Sequence, residues 1–435
     1  MIGQPSVGLA GVVVLLILLI SGMPIGVALG IAGLGGLIVT LGFEPALIKS
    51  GVLVFETMTR YELGTLPLFM LMAHLCFTAG ASGDFFGLAA RLFGHRRGGL
   101  AIASVAGCAG FGSINGSSLA TTATMGLVAV PEMRARGYSD ALATGTVAAG
   151  GTLGQMIPPS GALIVFGIIA EQSIGTLFTA AIVPGLTQML CYFVVIALLV
   201  GWRPAIAPPT PRASWAERVA ALRGVADIGL LVVVVIGGIV LGWITASEAA
   251  AVGAAGALLI CMKRGKLHRA TLRRALEDTL RTSGLIYLVV IGALIFAAFI
   301  GVTGLADAIG SAIVGLNLGP VATMLLVAVF LLLIGSVLDG LALMLLTTPI
   351  LLPLVTDMGL SAIWFGIFLV RAMEIGFVHP PIGMNLYVIQ GVVPDVSLGR
   401  IFKGVLPFLA ADLVHLTLLI VFPVIALGLP TWLGR

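Results

Sequence analysis

Two short glycine-rich runs carry the side chains best suited to chemistry: Gly112-Ser113-Ile114-Asn115-Gly116 and Gly335-Ser336-Val337-Leu338-Asp339-Gly340. Both interrupt long apolar stretches, where exposed backbone is tolerated only if it is buried in protein or lines a wet cavity. Glycine permits the positive φ that turns successive carbonyls toward one point. Ser113, Asn115 and Ser336 add neutral oxygens and Asp339 adds a carboxylate. Hard oxygen ligands with little net charge suit a monovalent cation such as Na⁺. Gly112, Ser113, Asn115, Gly116, Ser336, Asp339 and Gly340 are therefore the ion-binding candidates. The alternative is that these small residues only let helices approach closely; Asp339 argues against it, because a carboxylate at membrane depth is costly unless paired or functional.

Two proline pairs supply a second kind of site, in Ile157-Pro158-Pro159-Ser160-Gly161 and His379-Pro380-Pro381-Ile382-Gly383. Adjacent prolines remove two amide donors and break a helix. A half-helix N-terminus then attracts an anionic substrate, while carbonyls such as those of Pro158 and Pro380 attract the cation; a simple kink is the competing reading. Ser117, Ser118, Thr121, Ser160, Thr347, Thr348 and Asn385 are the substrate-binding candidates around these breaks. The threonine hydroxyls, including Thr122 and Thr124, could equally bond back to their own helices. Arg371 and Glu374 stand three apart on one helical face, and a buried structural ion pair is favoured over direct substrate binding. His379 is of a residue type that would suit proton coupling, although a structural role is the favoured reading for a lone histidine. Other ionisable residues are expected in solvated loops. Cys76, Cys108, Cys191 and Cys261 lie singly in apolar runs, without metal or redox spacing.

The elements that must position these groups follow from composition. Of 435 residues, 59% are hydrophobic and 9% charged, against roughly 25% charged in soluble domains. Apolar runs long enough to cross about 30 Å of hydrocarbon recur throughout, so the whole chain reads as membrane domain. The first run, residues 7–20, lacks a basic leader and is read as a retained helix. The net charge of +4 encodes orientation rather than nucleic-acid binding. Lys and Arg cluster at residues 91–97, 134–136, 203–223, 263–281 and 400–403, leaving only Lys49, Arg60, Arg371 and Arg435 elsewhere. The positive-inside rule places the clusters in the cytoplasm and both termini outside.

The two glycine runs split segments of about 34 residues into arms near 15 residues, roughly 22 Å as helix, too short to span. Each is a re-entrant hairpin: residues 98–133 open to the cytoplasm, residues 320–355 to the outside. At an offset of about 222 residues, Gly112-Ser113 matches Gly335-Ser336, Pro131 matches Pro353, Gly154 matches Gly376, and Pro158-Pro159 matches Pro380-Pro381. The expected fold class is thus an all-α polytopic membrane protein of two inverted repeats, each with a hairpin and a Pro-Pro-broken helix. The first repeat is residues 1–202, with scaffold 6–62 and transport elements 63–201; a connector covers 203–224; the second repeat is 225–435, its broken helix at 361–391. Residues 43–62 and 263–282 are expected to lie along the membrane surface as amphipathic arms.

At these residues the sequence resembles the large membrane subunit of tripartite ATP-independent periplasmic (TRAP) transporters, the DctM type. The likeness spans essentially the whole chain and is most specific at residues 111–124, 131–138, 153–160, 173–184 and 346–391, including Pro380-Pro381-Ile382-Gly383-Met384-Asn385-Leu386. The resemblance implies Na⁺-driven uptake of a small organic acid across the bacterial inner membrane, with no cofactor beyond the coupling ion. It also implies delivery by a periplasmic solute-binding protein, a small four-helix membrane subunit as a separate chain, and an elevator movement of hairpins and broken helices. His379 stands where threonine is expected. An autonomous dicarboxylate or oxyanion transporter without a binding protein is the alternative. A channel would need a continuous polar lining and an energy-transducing subunit a chain of charges. No nucleophile, metal cluster or phosphate-binding loop supports an enzyme, and no ATP-binding motif a primary pump.

Overall fold

Helix boundaries follow the local chemistry of the sequence. Ser139, Ser160, Ser173 and Ser361 each accept a hydrogen bond from a backbone N–H in the first turn of the helix they precede. Ser214 and Thr245 form full capping boxes with Glu217 and Glu248. Such caps satisfy amides that no helix can bond internally. The computed structural model describes residues 4–316, 318–336, 338–380 and 382–434, and all regular structure among them is helical.

The first half comprises α1 (Pro5–Ile20), α2 (Ile25–Leu41), α3 (Phe43–Thr59), α4 (Thr65–Ala79) and α5 (Ala81–Phe93), followed by the hairpin arms α6 (Gly99–Asn115) and α7 (Ser118–Ala135). It ends with α8 (Asp140–Met156), α9 (Gly161–Ile169) and α10 (Ile174–Trp202). The second half holds α11 (Trp215–Val240), α12 (Ala246–Lys263), α13 (Arg269–Thr303) and α14 (Leu305–Val314), then the hairpin arms α15 (Pro320–Gly335) and α16 (Gly340–Asp357). Helices α17 (Ala362–Gly376), α18 (Met384–Val392), α19 (Leu398–Val421) and α20 (Val424–Trp432) complete the chain.

The halves interlock by exchange of equivalent contacts. Helix α2 packs on α13 and α12 on α4; α8 packs on α19 and α17 on α10; α18 packs on α7 and α9 on α16. Each of these contacts has its counterpart with the roles reversed, as an approximate two-fold axis between repeats requires. By length and hydropathy seven described helices can cross a membrane, or eight if α8 and α9, bent by 42° at Ile157–Ser160, count as one broken span. The first-half arms α6 and the second-half arm α15 fall among the shorter apolar helices.

Three sequence expectations require correction. The segment 263–282 is no separate surface arm: from Arg269 onward it runs without interruption into the span as the 35-residue α13, about 52 Å long at 1.5 Å per residue. Its first-half counterpart is a distinct helix, α3, followed by a 3₁₀ turn at Tyr61–Gly64. Second, the hairpin arm α16 has 18 residues and is long and apolar enough to cross a membrane, longer than the arms near 15 residues expected. Third, not all remaining ionisable residues are solvated. Asp412 and His415 are buried in α19, and Arg264, at the end of α12, bonds Asp84 of α5 and Asp227 of α11, each at 2.5 Å, as well as the Ala79 and Gly224 carbonyls. That guanidinium ties the α4–α5 corner to α11 and α12.

Candidate functional site

The first glycine run forms the bend between α6 and α7. Gly116 caps α6 with φ 62°, and a β-carbon there would lie 2.5 Å from the Pro159 carbonyl oxygen. Only glycine accommodates both the left-handed backbone and that approach. The bend is locked by side chains: Asn115 Oδ1 accepts the Ser117 amide at 2.7 Å, and the Asn115 and Thr121 side chains bond each other at 2.9 and 3.2 Å. Ser117 caps α7 by accepting from the Ala120 amide.

The second run forms the corresponding bend between α15 and α16. Asp339 is the N-cap of α16, its Oδ2 accepting the Leu341 amide at 3.0 Å. A carboxylate at a helix N-terminus also faces the positive end of the helix dipole. Each bend is seated on the broken helix of its own repeat in the same way. A β-carbon at Gly112 would stand 2.4 Å from the Gly154 α-carbon, and one at Gly376 would stand 2.7 Å from the Gly335 carbonyl oxygen. The glycine pairs matched in the sequence are thus matched contacts.

The breaks lie against these bends. Pro158 and Pro159 are joined by a cis peptide, and Ser160 caps α9 by accepting from the Leu163 amide. Pro380 is half-buried; Pro381 lies outside the described residues. Past the second break, Asn385 is fully buried and donates to Ser118 Oγ at 2.9 Å and to the Ala148 carbonyl at 3.0 Å. One side chain therefore joins the second break to the first hairpin and to α8.

Not every candidate reaches this junction with a free group. Thr347 and Thr348 donate to the Leu343 and Met344 carbonyls, the back-bonded arrangement of the two that their positions allowed. Ser113 and Ser336 likewise donate to Gly110 and Leu333 within their own helices, which leaves their oxygen lone pairs as acceptors. Arg371 and Glu374 pair at 2.9 Å, both fully buried. Arg371 also bonds Asp412 and His415, two partners that lie 41 and 44 residues away in sequence.

A cavity of about 1360 Å³ opens beside the first bend. Asn115, Gly116 and Ser117 form one wall, Gly161 and Leu341 extend it, and Met70 and His74 of α4 with Arg274 and Asp278 of α13 face it. Both hairpins and the first break thus border one space. A separate void of about 10 Å³ lies between Asn115, Gly116, Pro159 and Gly161, roughly the volume one water-sized particle needs. His74, Arg274 and Asp278 escaped sequence reasoning: within the basic run 263–281 the charges of α13 carry a topological signal that hides any role in lining a cavity.

Comparison with known proteins agrees with this architecture. The sequence model described as "Tripartite ATP-independent periplasmic transporter, DctM component" matches residues 12–425. The C4-dicarboxylate TRAP transporter large permease protein DctM of Pseudomonas aeruginosa is 35% identical, covering 92% of this chain and 94% of the relative. The sialic acid TRAP transporter large permease protein SiaM of Vibrio cholerae is 31% identical, over 95% of this chain and 96% of its own length. Among solved structures, the YdaH transporter of Alcanivorax borkumensis, reported for its unusual topology, shares the fold with a TM-score of 0.63 at 16% identity, covering 91% of this chain and 89% of that chain. With a family match from residue 12 to residue 425, over two hairpins and paired helix breaks, the chain belongs to the DctM family of membrane permeases of tripartite ATP-independent periplasmic transporters.

Proposed function

We propose that this permease is the large subunit of a Na⁺-coupled secondary transporter that brings a small carboxylate-bearing organic acid across the bacterial inner membrane by an elevator movement. A periplasmic solute-binding protein delivers the acid, and a small four-helix membrane subunit completes the complex. Both chain termini face the periplasm, as the distribution of Lys and Arg supports. C4-dicarboxylate and sialic acid, named for two relatives, both bear carboxylates, which supports a substrate of that class for this chain.

The observation that carries the reading is the junction of bends and breaks: Gly116 against Pro159, and Asn385 on Ser118. In the site so formed, the carbonyls and neutral oxygens around Gly112, Ser113, Asn115, Gly116 and Pro158, with Ser336, Asp339, Gly340 and Pro380 of the second repeat, hold Na⁺. Ser117, Ser118, Thr121, Ser160 and Asn385 present hydroxyls and an amide to the substrate carboxylate, beside free helix N-termini. The large cavity, bordered by the basic start of α13, is the release path on the cytoplasmic side. Helices α4–α10 and α14–α19 move against a scaffold of α1–α3 and α11–α13.

Reconstitution in liposomes tests this. With the small subunit and the binding protein present, an inward Na⁺ gradient should drive organic-acid uptake, and omission of either protein should abolish it. Uptake by this chain alone would instead establish the autonomous transporter, and uptake indifferent to Na⁺ would remove the assigned coupling ion.

A further inference from the structure

A cluster of charges lies sealed between α8, α10, α17 and α19, away from the cavity. Arg371, Glu374 and Asp412 are each 0% exposed. The guanidinium donates from Nη1 to Glu374 Oε2 at 2.9 Å and from Nη2 to Asp412 Oδ1. Its Nε donates to His415 Nδ1 at 3.1 Å, so that nitrogen carries no proton. The other ring nitrogen, Nε2, lies 2.8 Å from the Thr187 hydroxyl, whose hydrogen is directed to the Val183 or Pro184 carbonyl. His415 is therefore neutral, with its hydrogen on Nε2.

The count of charge does not close. One guanidinium faces two carboxylates, and a net charge buried at this depth is heavily penalised. The remaining groups facing the cluster, Tyr192, Gln188 and Cys191 on α10 and Thr152 on α8, carry no positive charge. The other charged side chains of these four helices, Asp140, Arg400 and Lys403, are not buried. Helices α9, α15 and α20, which also touch α17, contain no charged residue, and on α16 Asp357 is exposed.

Hydrogen bonding shows where the deficit lies. Glu374 Oε1, Asp412 Oδ2 and Gln188 Oε1 are buried acceptors without a donor. Gln188 lies beside the Glu374 carboxyl, yet its amide nitrogen is committed to Thr152 Oγ1 at 2.9 Å and Tyr192 Oη at 3.1 Å. The Tyr192 phenol stands beside Asp412 and can donate to it, whereas no hydrogen bond is made to Glu374 Oε1.

We propose that Glu374 binds a proton at neutral pH, making the Arg371–Glu374–Asp412 cluster a proton-binding site in the core that joins the two repeats. One hydrogen on Glu374 brings the cluster to neutrality. The Arg371–Asp412 pair then remains the single ionised pair.

Infrared spectroscopy of the full chain in lipid at neutral pH should show the carbonyl stretch of a buried protonated carboxylic acid. The band should disappear in Glu374→Gln, which keeps a hydrogen donor at that place. It should also disappear in Asp412→Asn, because the one carboxylate left then matches the guanidinium and ionises. The apparent Tm of the natural chain should fall as pH rises above the ordinary carboxylate range, since the folded state holds a proton the unfolded state has released; both variants should lose that slope. Should one variant fail to fold, the natural chain and the other variant decide the matter. Absence of the acid band from the natural chain, or a band unchanged in both variants, overturns the proposal, as does a Tm that Na⁺ rather than protons restores at high pH.

Discussion

At the scale of single residues, Asp339 shows why the position of a charge matters more than its presence. Its Oδ2 caps α16 through the Leu341 amide, and asparagine caps a helix about as well as aspartate. Asp339→Asn therefore removes the charge while keeping the cap. With Asn115→Ala, it should lower Na⁺-stimulated uptake about tenfold or more, the equivalent of about 1.4 kcal/mol of ion binding, while size-exclusion profiles stay unchanged. Unaltered Na⁺ dependence in both would remove the ion site. Gly116 poses a steric question instead: Gly116→Ala forces a left-handed backbone costing about 1–2 kcal/mol and drives a methyl group toward Pro159. Uptake should collapse with a lowered apparent Tm, and a fully active alanine variant would show that the bend tolerates rearrangement.

At the scale of elements, the first hairpin is anchored where α7 ends. Arg134 bonds Asp395, in the turn before α19, at 2.5 Å and Asp140, at the start of α8, at 3.0 Å, while Arg400 of α19 reaches Asp140 at 3.0 Å. The hydrogen bond from Arg134 holds the Asp395 carboxyl below its usual range, with smaller contributions from the local backbone and the guanidinium charge. A depressed carboxylate stabilises the fold above its unfolded value, about 3.9, and loses that effect as pH falls through the depressed value. Asp395→Asn should thus lower the apparent Tm slightly at neutral pH, with the difference closing in acid. A difference that persists or widens in acid would show that the pair does not tether the hairpin. The length of α13 acts at the same scale: one 35-residue helix carries both the cavity-lining Arg274 and the scaffold contact with α2, so cavity wall and scaffold are a single rigid piece.

At the scale of the whole molecule, elevator motion requires contacts that form in one state and part in another. Arg60, between α3 and α4, bonds Glu171, in the loop between α9 and α10, at 3.2 Å and the Ile168 carbonyl at 3.3 Å. The pair bridges the proposed scaffold and the proposed moving elements. In a background lacking Cys76, Cys108, Cys191 and Cys261, the double variant Arg60→Cys, Glu171→Cys should lose uptake on oxidation and regain it on reduction. Undiminished transport by the cross-linked protein would mean that these elements do not separate during the cycle.

The sequence alone determined the class of protein, because membrane residence is written in composition and in the recurrence of long apolar runs. It also determined the repeat and both breaks, since glycine and proline act on their own backbone and need no distant partner. Asp412, His415 and Gln188 around Arg371 were not legible: each is an ordinary side chain in an apolar helix until folding brings α10, α17 and α19 together. The same holds for Asn385, whose partners Ser118 and Ala148 lie 267 and 237 residues away. Only the tertiary structure could decide these pairings, because at such separations no local periodicity or propensity records which surfaces will meet.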